Sequence, residues 1–113
     1  MRHIAIVGRD LIAATRIRDA AVQSGFTAVR VDRPEDLPSR DDVAVAVVDW
    51  SSRDESWGVT LRSWLEDADG GPRVLLYGFH TDLAAHADAR RYGLGPMVAR
   101  SRLFSALPEL LGP

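Results

Sequence analysis

Val43-Ala44-Val45-Ala46-Val47-Val48-Asp49 sets six apolar residues in a row before a single acid. A strand with one wet face would alternate apolar with polar residues. An unbroken run reads instead as a strand buried on both faces, at the centre of a parallel sheet. Open α/β sheets carry their ligand sites at the carboxyl ends of such strands, so Asp49 and the Trp50-Ser51-Ser52 that follows mark the place to look for function.

On both sides of this run the chain alternates between strand and helix. His3–Val7 (HIAIV) is a short apolar strand broken at Gly8. Over residues 10–24, Ala13, Ile17, Ala20, Ala21 and Ser24 share one helical face, with Arg16, Arg18 and Asp19 largely outside it. Gly25 is placed to close that helix in a left-handed conformation. Thr27–Val31 is a second strand. The two prolines of Asp32-Arg33-Pro34-Glu35-Asp36-Leu37-Pro38 then leave room for about one helical turn, with Pro34 in its first turn.

After the central strand, Trp57, Leu61, Trp64 and Leu65 recur at i, i+4, i+7 and i+8, the spacing of an amphipathic helix, which Gly70-Gly71-Pro72 stops. Residues 74–79 (VLLYGF) form a fourth strand. Thr81 is expected to N-cap a helix over 82–92 that Gly93 closes, and 96–99 is a short fifth strand. Residues 101–111 cannot run comfortably as one helix through Pro108; with Ser105 as N-cap, Pro108 falls in the first turn of a short terminal helix.

Parallel strands need crossover connections, and the helices supplying them cover both faces of the sheet. The expectation is a single domain over 1–113: α/β, flavodoxin-like and doubly wound, with a five-stranded parallel sheet in the order 2-1-3-4-5. Lys+Arg 14 against Asp+Glu 16 gives a net charge of -2, and the basic residues are scattered along the chain without a nucleic-acid footprint. All of them are arginine and asparagine is absent, a bias that GC-rich coding would produce. With no cysteine, disulfides, thiolate metal sites and a thiol nucleophile are excluded. No apolar run has the length of a membrane span and no leader pattern opens the chain, so a cytoplasmic location with no membrane partner is expected.

The order of these features resembles the receiver domain of bacterial response regulators over nearly the whole chain. The resemblance rests on a first strand with an acid soon after it, a third strand ending in Asp49, and Gly93 followed by the fifth strand and Arg100. It implies a carboxylate at Asp49 that accepts a phosphoryl group, acids after the first strand that help to hold magnesium, and a hydroxyl and a lysine that contact the phosphoryl oxygens.

The departures from that pattern fall at the site. Gly8 and Arg9 stand where an acidic pair is expected, leaving Asp10 alone to serve, and Arg9 adds a positive charge that could replace the metal. Gly78 stands at the hydroxyl position and Arg100 at the lysine position, where a planar guanidinium does not reproduce an ammonium point charge. Met97 takes the place of an aromatic switch residue. The pattern implies a pseudo-receiver, with Arg9 or Arg100 paired to Asp49 and holding its pKa down.

Other readings of these residues stay open. Asp10 has the residue type and position of a helix N-cap, and Asp49 that of a structural strand-end carboxylate. His3, His80 and His86 lie on separate segments and do not suggest a metal site. Trp57 and Trp64 follow the helical period as packing residues, Ser51-Ser52 has the form of a loop or cap, and Glu66, Asp67 and Asp69 that of a solvated helix end.

Three functions are compatible with this reading. The first is a stand-alone, cofactor-free, non-enzymatic interaction module in signalling or regulation, acting on an unknown protein partner. The second is a phospho-acceptor receiver using Asp49, with Asp10 assisting Mg²⁺ and Arg100 steadying the product. The third is a flavodoxin-like domain holding a small anionic ligand at residues 8–10, Gly78 and Arg100. Leu103, Phe104, Leu107, Leu110 and Leu111 form an apolar strip expected to join the fifth strand and the 82–92 helix in an interface for a partner or for self-association, a homodimer being the simplest closed assembly.

Overall fold

The computed structural model describes residues 2–65 and 71–111. Its sheet has five parallel strands, β1 (His3–Val7), β2 (Thr27–Val31), β3 (Val43–Asp49), β4 (Arg73–Gly78) and β5 (Val98–Ala99), in the order β2-β1-β3-β4-β5. The doubly wound expectation holds. β3 lies at the centre with six of its seven residues buried, as an uninterrupted apolar run requires.

Two cores flank the sheet. On one face Ile4, Ile6, Val45, Val47 and Tyr77 meet α1 (Leu11–Gln23), α4 (Arg100–Ser105) and α5 (Leu107–Leu111). On the other, Ala5, Val7, Ala46, Val48 and Leu76 meet α2 (Trp57–Leu65) and α3 (Leu83–Arg91). Val43 and Val45 have the same parity yet belong to opposite cores. The cause is a register shift between His3 and Ile4, which pair with Val43 and Val45 and leave Ala44 extra.

Helix ends follow the local chemistry. Asp10 N-caps α1 by accepting from the Ala13 N–H at 3.1 Å. At the other end Gly25, at φ 86°, lets the Phe26 N–H return to the Ala21 carbonyl, and Gly93 at φ 66° does the same for Leu94 and Ala89 after α3. The cap of α3 is Asp82, whose carboxylate accepts from Ala85, and not Thr81: a tight turn from Phe79 to Asp82 delays the helix by one residue. The β2–β3 link holds two 3-10 turns, Pro34–Asp36 and Arg40–Asp42, the first opened by Pro34 as its fixed φ allows. The Trp64 indole ties α2 to this link by donating to the Pro38 carbonyl at 2.9 Å.

The end of the chain corrects two expectations. Ser105 does not cap the last helix; its hydroxyl donates to the Arg102 carbonyl and closes α4, and after Ala106 the chain starts α5 with Pro108 in the first turn. Leu103, Leu107 and Leu111 are 0%, 5% and 1% exposed, and Phe104 and Leu110 pack partly buried against the same core. The break turns these leucines inward at four-residue spacing, so the strip expected to form an interface is core. The acids Glu66, Asp67 and Asp69 and the stop at Gly70 lie outside the described residues. No helix among the described residues is long and apolar enough to cross a membrane.

Candidate functional site

Three strand ends meet at Asp49. β1 delivers Gly8, Arg9 and Asp10, β3 delivers Asp49 itself, and β5 delivers Arg100 as the first residue of α4. Gly8 sits at φ 146° with its backbone against Asp49: a Cβ there would lie 3.0 Å from the Asp49 Cβ. Glycine is needed both for the dihedral and for this approach, which is why no acid can stand at that position in this backbone. The Gly8 carbonyl accepts from Arg30 Nη1 at 2.9 Å.

Asp49 is the buried charged residue of the core, 7% exposed. Its Oδ2 accepts from the Ser52 hydroxyl at 2.9 Å. Burial raises its pKa; the Ser52 bond and the positive charge of Arg100 oppose that rise without overcoming it. The expected ion pair to Asp49, with a lowered pKa, is therefore not what forms. Arg100 Nη2 pairs instead with Asp10 Oδ2 at 2.5 Å, and its guanidinium lies over the Phe104 and Tyr77 rings at 5.2 and 5.9 Å. Those rings hold the arginine toward α1, where Asp10 already stands as a cap. The Ala13 N–H first, and then Arg100, keep the Asp10 carboxyl below its ordinary range. Arg9 is exposed and has no ion pair among the described residues.

Gly78 ends β4 beside this cluster. The space a side chain would fill there is taken by the Ser51 hydroxyl and by the Met97 sulfur, which would lie 2.6 Å from a Cβ on residue 78. Ser51 Oγ accepts from the Phe79 N–H at 3.0 Å, joining the β3 and β4 loops. Ser51 and Ser52, read in sequence as loop or cap, thus both touch the site. Their adjacency to Asp49 was the available signal.

A cavity of about 640 Å³ opens over Asp49. Arg9, Asp10 and Arg100 line it, as do Asp32 and Arg33 just after β2, Asp54 ahead of α2, Trp57 at the start of α2, and Phe79. Gly78 faces a second hollow of about 440 Å³, between α1 and α4. Asp32, Arg33 and Asp54 escaped the sequence reading because they belong to loops that only the sheet order brings together, and Trp57, read there as a helix packing residue, opens α2 at the cavity wall.

Magnesium requires near-octahedral oxygen ligation, usually with one or two carboxylates free to bind it. Here Asp10 is held by Arg100 and Ala13, Asp49 by Ser52, and Gly8 supplies no side chain. No three His, Asp or Glu side chains among the described residues gather in a metal-binding cluster. This donor set does not fit the ion.

No family model matches the sequence, and no curated protein is significantly similar to it. The fold is shared with solved structures. A response regulator from Thermotoga maritima superposes with a TM-score of 0.73 at 13% identity, covering 98% of this chain and 94% of the other. A response regulator protein from Burkholderia multivorans gives 0.72 at 16% identity, over 100% and 97% of the two chains. A pilus assembly-related protein from Burkholderia pseudomallei gives 0.72 at 18% identity, over 98% and 87%. At these identities the likeness establishes a receiver-type fold.

Proposed function

We propose that this is a receiver-like signalling module that works by binding another protein, without phosphoryl transfer, metal or turnover. The Asp10–Arg100 ion pair carries the reading. It joins the acid that would serve a metal to the cation that would serve a phosphoryl group, so neither is free for that work. The filling of the Gly78 position by Ser51 and Met97 supports the same conclusion, since no side-chain hydroxyl can be added there without repacking.

The strip on which self-association was expected packs against the core, Leu103, Leu107 and Leu111 fully and Phe104 and Leu110 partly, so this reading places the partner surface elsewhere. Large apolar side chains instead emerge at the carboxyl edge of the sheet, where Leu11, Ile12, Phe79 and Leu83 are 61%, 77%, 60% and 76% exposed.

Incubation with acetyl phosphate and magnesium, read by intact mass, tests the loss of phosphoryl transfer. No adduct is expected. A stoichiometric adduct that vanishes in Asp49→Ala would replace this reading with that of a working phospho-acceptor.

A further inference from the structure

We infer that the second hollow, between α1 and α4, is a docking groove for an acidic segment of another protein, one that carries a large apolar side chain next to a carboxylate. This rests on the reading of the chain as an interaction module and names the chemistry of its partner.

The first observation is an apolar groove presented on fixed backbone. Ile12 on α1 and Phe79 after β4 line the hollow and are 77% and 60% exposed. Ala13 and Phe104 line it too, the first within the core on that face of the sheet and the second packed against it. Phe79 does not hang on a loose loop: its N–H donates to Ser51 Oγ and its carbonyl accepts from the Asp82 N–H, both at 3.0 Å. Ile12 stands in the first turn of α1, which Asp10 caps. Exposed apolar side chains held in this way mark an interaction site, and their fixed backbone lowers the entropy cost of covering them.

The second observation is the sign of the charge. Arg16, His80 and Arg100 line this hollow and no carboxylate does. Arg100 is already paired with Asp10 at 2.5 Å, so Arg16 and His80 remain. Arg16 lies over the Phe104 ring at 4.1 Å and makes no ion pair or hydrogen bond among the described residues. Asp19, one turn further along α1, does not meet it. The ring thus holds a guanidinium without a counter-charge at an apolar groove, its N–H donors free for an acceptor. The complement is a carboxylate beside an apolar side chain.

The third observation is extent. About 440 Å³ is toward the small end of ligand sites, which run from roughly 300 to 1,000 Å³. The apolar surface does not stop at the rim: Leu11, beside Ile12, and Leu83, four residues beyond Phe79, are 61% and 76% exposed. A peptide chain laid across the hollow covers these side chains as well, which a small molecule confined to it does not.

The probe is a capped hexapeptide, Glu-Glu-Leu-Phe-Glu-Glu, titrated into the ¹⁵N-labelled full chain and followed by backbone amide shifts. Two control peptides replace Leu-Phe by Ser-Ser, or every Glu by Lys. The acidic apolar peptide should shift Ile12, Arg16, His80 and Ser101, which all line the hollow, saturably and with a Kd on the order of 1 mM. Ile12→Ser should weaken binding about fivefold or more by removing apolar contact. Arg16→Gln should weaken it about threefold or more by removing the charge. Both side chains are exposed, so both variants should keep the folded dispersion of the parent spectrum. Saturable binding with these losses supports the groove. No saturable shift, shifts centred elsewhere on the protein, equal binding of either control peptide, or unchanged affinity in either variant would overturn it. Intact mass after acetyl phosphate treatment reports on the interaction reading separately. An adduct with peptide binding intact would remove that reading and not the groove, whereas no binding and no adduct would remove the groove and not the reading.

Discussion

Restoring a hydroxyl at position 78 is the perturbation that most directly tests the packing beside Asp49. In Gly78→Ser the new Cβ would overlap the Ser51 hydroxyl and approach the Met97 sulfur to 2.6 Å and the Ser51 Cβ to 3.1 Å. Met97 is 5% exposed, so its sulfur has little room to retreat, and Ser51 can turn away only by releasing the Phe79 N–H. Overpacking of this kind costs ~1–3 kcal/mol. The lost hydrogen bond adds ~0.5–1.5 kcal/mol. Replacing glycine restricts the unfolded chain and returns ~0.4–1 kcal/mol. The net expectation is a loss of about 2 kcal/mol, or a fall in Tm of roughly 8–12 °C for a domain of this size. Urea denaturation followed by circular dichroism measures it. Ser51→Gly in the same chain removes the Ser51 part of the clash and leaves that with Met97, so the double variant should recover part of the loss and show coupling between the two positions. A Gly78→Ser protein within about 0.5 kcal/mol of the parent, with no coupling to residue 51, would refute the reasoning.

Asp49 and Asp10 should respond to pH in opposite senses. The folded pKa of Asp49 is raised, so its contribution to stability is full below the unfolded value of about 3.9 and is lost as pH rises through the folded one; Asp49→Asn should therefore be more stable than the parent at pH 7, with the gain shrinking toward pH 4. The folded pKa of Asp10 is lowered, so its contribution is present above about 3.9 and is lost as pH falls through the folded value. Asp10→Asn keeps a capping side chain but loses the pair to Arg100. It should cost about 0.2–1 kcal/mol at pH 7, because both partners are about a third exposed, and less in acid, as denaturation across pH would show. Gly58→Ala places a Cβ 2.5 Å from Tyr92 Cε2, and the clash should outweigh the gain of about 1 kcal/mol in helix propensity. Thermal unfolding should show a net loss on the order of 1 kcal/mol, relieved when Tyr92→Ala is added.

Periodicity and capping chemistry act over a few residues, and they made the scaffold legible. The uniform Val43 to Val48 run located the central strand, Gly25 and Gly93 located two helix ends, and Pro108 located the break in the last helix. Asp10 is a cap, as its residue type and position allowed. The sequence also determined that Asp49 stands at a strand end among strand ends, because alternating strands and helices permit few arrangements of a parallel sheet.

The partners of each side chain were decided only by packing in three dimensions. Arg100 lies ninety residues from Asp10 and fifty-one from Asp49, so charge alone could not say which acid it would meet; the Tyr77 and Phe104 rings and the N-terminus of α1 settled that in favour of Asp10. Burial, set by neighbours on both sides of the sheet, moved the Asp49 pKa upward where an expected ion pair would have moved it down. Ser51 fills the space left by Gly78 because the two strand ends lie side by side, with Asp49 paired to Tyr77 in the ladder. The leucines of the last segment have helical spacing whether they face solvent or core, and the turn at Ala106 faced them inward. Local chemistry writes the elements, while the energy of a charge or an apolar side chain depends on what surrounds it, and that exists only once the elements have packed.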